Sequence, residues 1–179
     1  MDLQILKSPR LRLEPLDAGH AERLFQLYQD AELYLWIFRD PPPDPKEFRE
    51  GIEFLEKRLS RDQSEYWLNW VAFDANTNEI VGKVEISLHR TTRHAYLAYT
   101  IFRWFWRMGY GKEACRSVIE HVFHDWGASK VIIEMDIRNA ASVRLAESLG
   151  ATRVGFKPKA QFFKNSWSDE YAYEIVPSC

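Results

Sequence analysis

Three strand-like runs follow one another with no helix between them, and that succession limits the fold more than any other feature of the chain. Tyr66 to Phe73 and Ile80 to Leu88 are joined by the turn-rich Asp74-Ala75-Asn76-Thr77-Asn78-Glu79, which predicts an antiparallel hairpin. In the second run Val84, Ile86 and Leu88 stand opposite Lys83, Glu85 and Ser87, so one face is buried. A polar break at Arg90 to His94 leads to a third run, Ala95 to Phe102. Such a sheet is antiparallel at its start, unlike a chain of repeated βαβ units.

The third run passes through Arg107-Met108-Gly109-Tyr110-Gly111-Lys112-Glu113 into an amphipathic helix, whose stripe of Ala114, Cys115, Val118, Ile119, Val122, Phe123 and Trp126 is ended by Gly127. Glycine lets backbone N–H groups approach a ligand closely. A helix N-terminus offers unpaired donors at the positive end of its dipole, so this turn favours a phosphate or pyrophosphate.

The flanks complete the order. Arg10 to Leu16 alternates polar and apolar as a half-buried strand, which Pro15 ends or sets at a sheet edge. Ala21, Leu24, Phe25 and Tyr28 recur at helical spacing. The run Asp40-Pro41-Pro42-Pro43-Asp44-Pro45 then stops any helix, and Pro45 opens a second one with Phe48, Ile52, Leu55 and Leu59 on one face. Lys130 to Ile137 reads as a buried strand, Ala140 to Leu149 as a short helix closed by Gly150, and Ala160 to Lys164 and Glu170 to Val176 as two last strands. The pattern β-α-α-β-β-β-α-β-α-β-β predicts an α/β (α+β) fold, a mixed sheet with helices on its faces. A single domain over residues 1–179 is expected, and a chain of 179 residues buries roughly 70% of its unfolded surface without help from disulfides or metal.

Twenty-four basic and 26 acidic residues leave a formal charge of −2, which argues against general affinity for nucleic acid or anionic membrane. Cys115 falls on the apolar helix face and Cys179 is the last residue, so neither suggests a disulfide framework. Met1 to Arg10 carries Asp2 and no sustained apolar stretch, and the chain reads as cytoplasmic.

Other readings of the glycine turn are weaker. Gly109-x-Gly111-x-x-Ala114 fits a dinucleotide fingerprint, with Glu134 and Asp136 where a ribose-binding acid is expected. Yet Arg103 to Met108 intervene between strand and glycines, and the upstream strands look antiparallel. A phosphate-binding loop of the NTPase kind would need Ser or Thr where Glu113 follows Lys112. The aromatic and basic run Phe102 to Arg107 reads as packing beside a cofactor rather than a nucleic-acid surface. His121 and His124 read as a solvated pair, with no third residue spaced to complete a metal site.

Four segments in order resemble the GNAT superfamily of acyl-CoA-dependent N-acyltransferases, and within it the group of ribosomal-protein N-terminal acetyltransferases that includes RimJ and RimL. They are Ser8-Pro9-Arg10-Leu11-Arg12-Leu13, Ala98-Tyr99-Thr100-Ile101, Phe105 to Ala114, and Asn139-Ala140-Ala141-Ser142 with Leu149-Gly150. The resemblance implies a central mixed, mostly antiparallel sheet with helices on both faces. Its fourth and fifth strands, Ala95 to Phe102 and Lys130 to Ile137, splay apart, and the pantetheine arm of acetyl-CoA fills the gap like an added strand. Thr100, Ile101 and Phe102 are then expected along the arm, Arg107, Met108, Gly109, Tyr110, Gly111 and Lys112 at the pyrophosphate, and Asn139 and Ser142 beside the pantetheine.

The chemistry so implied is transfer of an acetyl group to a primary amine, on a protein N-terminus or a small molecule, by direct attack in a ternary complex without metal. A monomer or homodimer is expected. Ser142 is expected to serve the departing sulfur, although a serine in a first helical turn also satisfies backbone donors. Asn139 suits the pantetheine and is also a good helix cap. The familiar base positions of the superfamily hold Tyr96 and Gln161 instead of a carboxylate. Tyr96, Glu134 and Glu85 remain as substitutes, the two glutamates also reading as solvated. Loss of the base suggests a second reading, a non-catalytic acyl-CoA-binding module, and a dinucleotide oxidoreductase is the third.

Overall fold

The computed structural model describes residues 3–177, so Cys179 lies outside the described residues. Eight strands form one sheet in the order β1-β2-β3-β4-β5-β6-β8-β7. The strands are β1 (Leu6–Lys7), β2 (Leu11–Pro15), β3 (Glu65–Asp74), β4 (Ile80–His89), β5 (His94–Ile101), β6 (Lys130–Asp136), β7 (Thr152–Phe163) and β8 (Ser166–Ile175). Among the described residues four α-helices accompany them: α1 (Ala21–Leu27), α2 (Pro45–Leu55), α3 (Tyr110–His124) and α4 (Ala140–Ser148).

Every strand pair is antiparallel except β5 with β6. That parallel pairing lasts three rungs, His94 with Lys130, Ala95 with Val131 and Tyr96 with Ile132, after which the two strands run on without each other. The expected splay is therefore present, and one isolated parallel pair leaves no room for a βαβ dinucleotide domain.

Alternation along the strands makes two cores. Trp70, Val84, Ile86, Leu97, Val131 and Ile133 pack with α3 residues such as Cys115, Val118 and Val122. On the other face Val71, Phe73 and Phe102 pack with Leu24 of α1 and Ile52 of α2. Helices thus cover both faces, and no helix among the described residues is long and apolar enough to cross a membrane.

Local chemistry explains most boundaries. Asp44 caps α2 by accepting from the N–H groups of Lys46 and Glu47, with Pro45 in the first turn. That helix ends at Leu55, so Leu59 leaves the expected helical face and instead bridges to Tyr66.

The C-terminal hairpin is longer than its pattern suggests, because β7 begins at Thr152 and not at Ala160. As the edge strand of the sheet it accommodates Pro158 and carries register shifts at Arg153/Gly155 and Lys157/Gln161, which hide the apolar alternation. His121 and His124 are not a solvated pair. His121 is buried between Trp126, whose indole N–H donates to Nε2, and Asp125, which faces Nδ1, while His124 points to solvent.

Candidate active site

The cleft starts where β5 and β6 diverge. It measures about 1930 Å³, larger than an ordinary single-ligand pocket of roughly 300–1,000 Å³, and has room for two reactants. One side is formed by the starts of α3 and α4, the other by the sheet face turned to α1 and α2.

On the α3 side, Gly109 takes φ +82°, a left-handed conformation that glycine adopts without penalty, and it stands at the N-cap of α3. It offers no side chain to the first turn, so the opening N–H groups are left for a ligand. At Gly111 a Cβ would lie 3.3 Å from Ile101 Cγ1 and 3.6 Å from Leu145 Cδ2, so the cradle is already at contact distance. Arg107, Lys112 and Arg144 also line the cleft and make no ion pair among the described residues. An uncapped helix start with free cations and an open strand edge suits a phosphate-bearing, extended ligand.

The turn is held by contacts that span the chain. Glu113 accepts from Ser8 Oγ, Arg10 N and Arg10 Nε at 2.7, 2.8 and 2.7 Å, tying α3 to the turn between β1 and β2. Burial acts against its charge, but these three donors hold its carboxyl below the usual range. Tyr110 turns its hydroxyl away from the cleft and donates to Asp74 at 2.5 Å.

At α4, Asn139 is the cap, its Oδ1 accepting from Ser142 N at 3.1 Å. Ser142 Oγ makes no hydrogen bond among the described residues, and the residue lines the cleft. Its hydroxyl is therefore not spent on the helix.

Across the cleft, Lys83, Glu85, Thr100, Glu134 and Glu170 come from four strands onto the same sheet face. Lys83 Nζ lies 2.9 Å from Glu85 Oε1. Burial works against the ammonium, yet Glu85 and the Tyr28 hydroxyl hold its pKa above the ordinary lysine value. Glu134 and Glu170 have no ion pair among the described residues. Burial pushes the Glu170 carboxyl up first, and the charge of Glu134 adds to it. Asp136, by contrast, is held down against its burial by Arg138 and Ser168.

The expected residues thus divide. Thr100, Ile101, Arg107, Gly109, Gly111, Lys112, Glu134, Asn139 and Ser142 line the cleft, together with Glu85 and Gln161. Phe102 does not: it packs edge-on to Tyr28 in the α1–α2 core. Met108 is exposed, and its carbonyl accepts from Arg10 Nη1. Tyr96 sits on the last shared rung of β5 and β6, before the strands separate, and is exposed outside the cleft. Sequence reasoning misses Glu170 and Lys83. Lys83 belongs to the alternating pattern, but nothing local marks either side chain as facing a cavity.

The acetyltransferase (GNAT) domain family model matches residues 10–152. YkkB of Bacillus subtilis is 27% identical over 91% of this chain and 96% of its own. A structure of the ribosomal L7/L12 alpha-N-protein acetyltransferase RimL in complex with coenzyme A superposes with TM-score 0.87 at 20% identity, covering 97% of this chain and 98% of that one. A spermidine N-acetyltransferase from Vibrio cholerae in complex with CoA and spermine gives 0.81 at 19% identity, over 94% and 96% of the two chains.

Proposed function

The chain belongs to the GNAT family of acetyltransferases, and from that premise we propose that it transfers an acetyl group from acetyl-CoA to a primary amine by direct attack within a ternary complex. One observation carries the proposal. A single cleft joins an uncapped helix start and cations to two carboxylates across the diverging strands, none of these charges being in an ion pair among the described residues. A polyanionic acyl donor suits the first side, and a cationic amine suits the second.

Acetyl-CoA supplies an acyl group already activated as a thioester. The chain's own role is to hold, orient and move protons. The N–H groups at the start of α3, with Arg107 and Lys112, would receive the pyrophosphate. The β5 edge beyond Tyr96 would pair with the pantetheine amides, joined by Asn139. Glu134 and Glu170 would attract the ammonium and accept its proton, freeing the lone pair for attack. Burial and the nearby charge of Glu134 raise the pKa of Glu170, which makes its carboxylate a stronger proton acceptor than an ordinary one. Ser142, with its hydroxyl uncommitted, would donate a hydrogen bond to the departing sulfur.

A spermidine acetyltransferase and RimL among the structural neighbours make both a polyamine and a peptide N-terminus worth testing as acceptors. The test is thiol release from acetyl-CoA in the presence of spermine, a peptide with N-terminal serine, or an aminoglycoside. Thiol release above the acceptor-free rate with one of them is expected. CoA binding without release for any amine would leave a binding module. A thermal midpoint raised by NAD(P) and not by CoA would sink the acyl-transfer reading altogether.

A further inference from the structure

We propose that the hydroxyl of Tyr99 positions the hydroxyl of Ser142 for the transfer step; this rests on the reading that Ser142 serves the departing sulfur. Tyr99 lies on β5 past the last rung shared with β6, its ring packed against the α3-side core. Its Oη is buried and has no hydrogen-bond partner among the described residues. Buried polar atoms in folded proteins are nearly always paired, so an orphan hydroxyl at the wall of a cleft points to an interaction made during function.

Ser142 is the partner within reach. Both residues line the cleft. Burial drives the Tyr99 phenol above its ordinary pKa, and Ser142 is the side chain whose hydroxyl offsets some of that rise, although the two oxygens are not in hydrogen-bonding geometry here. The other titratable neighbour, Cys115, is a thiol that burial also keeps protonated, so it offers no competing anion. Ser142 Oγ is equally uncommitted, because Asn139 caps α4 in its place.

A serine hydroxyl carries one proton and two lone pairs. With Tyr99 Oη–H donated into one lone pair, the Ser142 proton is turned toward the open cleft and polarised as a donor. As the amine attacks, the C–S bond breaks and its electron pair goes to sulfur, where the Ser142 O–H meets it. The amine proton leaves to the carboxylates opposite. Tyr99 keeps its own proton throughout and is a positioning residue.

The experiment compares Tyr99→Phe, Ser142→Ala and the double variant in thiol release with whichever of spermine, the serine peptide or the aminoglycoside is turned over. CoA titrations and thermal midpoints are measured alongside. Tyr99→Phe is expected to lower kcat on the order of tenfold with unchanged KM for acetyl-CoA and unchanged CoA affinity. The midpoint stays level or rises, since the deleted hydroxyl satisfied nothing. The double variant is expected to be no slower than Ser142→Ala, because the two hydroxyls act as one unit. A 3-fluorotyrosine at position 99, which keeps the ring and the donor, restores activity and serves as the second readout.

Full kcat in Tyr99→Phe beside a slow Ser142→Ala overturns the positioning role and leaves Ser142 in place. Full kcat in Ser142→Ala overturns the reading underneath. Weaker CoA binding in Tyr99→Phe assigns the hydroxyl to the cofactor, and a midpoint drop that tracks the lost rate assigns it to stability. Either result overturns the proposal.

Discussion

The two sides of the cleft are assembled by different means. On the α3–α4 side the framework is local and largely backbone: a left-handed Gly109, a first turn of α3 with no side-chain cap and an open edge on β5, joined by the side chain of Asn139 at the N-cap of α4 and by Arg107 and Lys112. On the α1–α2 side it is made of side chains delivered from far apart in sequence. Lys164 at the tip of the β7–β8 hairpin donates to the carbonyls of Tyr34, Ile37 and Arg39, and the Arg138 guanidinium lies 5.3 Å from the centre of the Trp36 ring. Under the proposed function the contrast follows from what each side would recognise. Phosphate and amide groups are the same in every acyl-CoA, and backbone donors suffice for them. Acceptor amines differ in shape, and side chains brought together from separate elements can follow them.

The sharpest way to break the comparison is Ser142→Ala, since the proposed mechanism places its hydroxyl at the departing sulfur. It is expected to lower kcat by about 100-fold with CoA affinity intact, because a group that acts in the transition state adds little to ground-state binding. A helix-start role alone would instead cost about 1 kcal/mol of stability at full kcat. Steady-state kinetics and an unfolding curve on the same variant decide between them.

Gly111→Val comes next. Its side chain would enter the cradle against Ile101 and Leu145, and CoA affinity is expected to fall by roughly tenfold or more by titration calorimetry, with the domain still folded. Gly109→Val is less clean: forcing φ +82° on a β-branched residue adds about 1–2 kcal/mol of backbone strain, so loss of CoA binding there comes with a lower midpoint.

The acceptor side should respond separately. Lys164→Ala loosens the hairpin from the Leu35 to Asp44 loop, and a few-fold rise in acceptor KM is expected with CoA affinity unchanged. A matching loss of CoA affinity would show that the two sides are not independent.

The smallest effect is one of pH. Glu170, raised by burial and by Glu134, would serve as the proposed proton acceptor only when deprotonated, so the rate is expected to fall as pH drops through its pKa. Glu134→Gln removes the like charge and is expected to move the acid limb of kcat/KM to lower pH. A limb that stays in place or moves upward would take Glu170 out of the proton path.

The readable and the unreadable regions of this protein follow the same division. The hairpin at Asp74 to Glu79, the Pro45 helix start, the glycine turn and the Asn139 cap are local, each set by residues within a few positions, and each stands where the pattern puts it. The edge strand β7 is hidden from a reading of the chain because its bulges and Pro158 break the period that marks a strand. Tyr96 is singled out by its place in a motif, but the strands diverge just beyond it, and which rung is the last is a property of packing.

Glu113 shows the limit most plainly. Its place in the glycine turn is visible in the chain, but its bonds to Ser8 and Arg10 cross more than a hundred positions. Periodicity and turn chemistry therefore determined most of the elements, their order and the glycine turn, because those energies are short-ranged along the chain. The meeting of Glu134 with Glu170 and of Lys83 with Glu85 inside a cavity, and the placing of Tyr99 near Ser142, were decided by the tertiary structure, because burial and charge act through space and do not follow distance along the sequence.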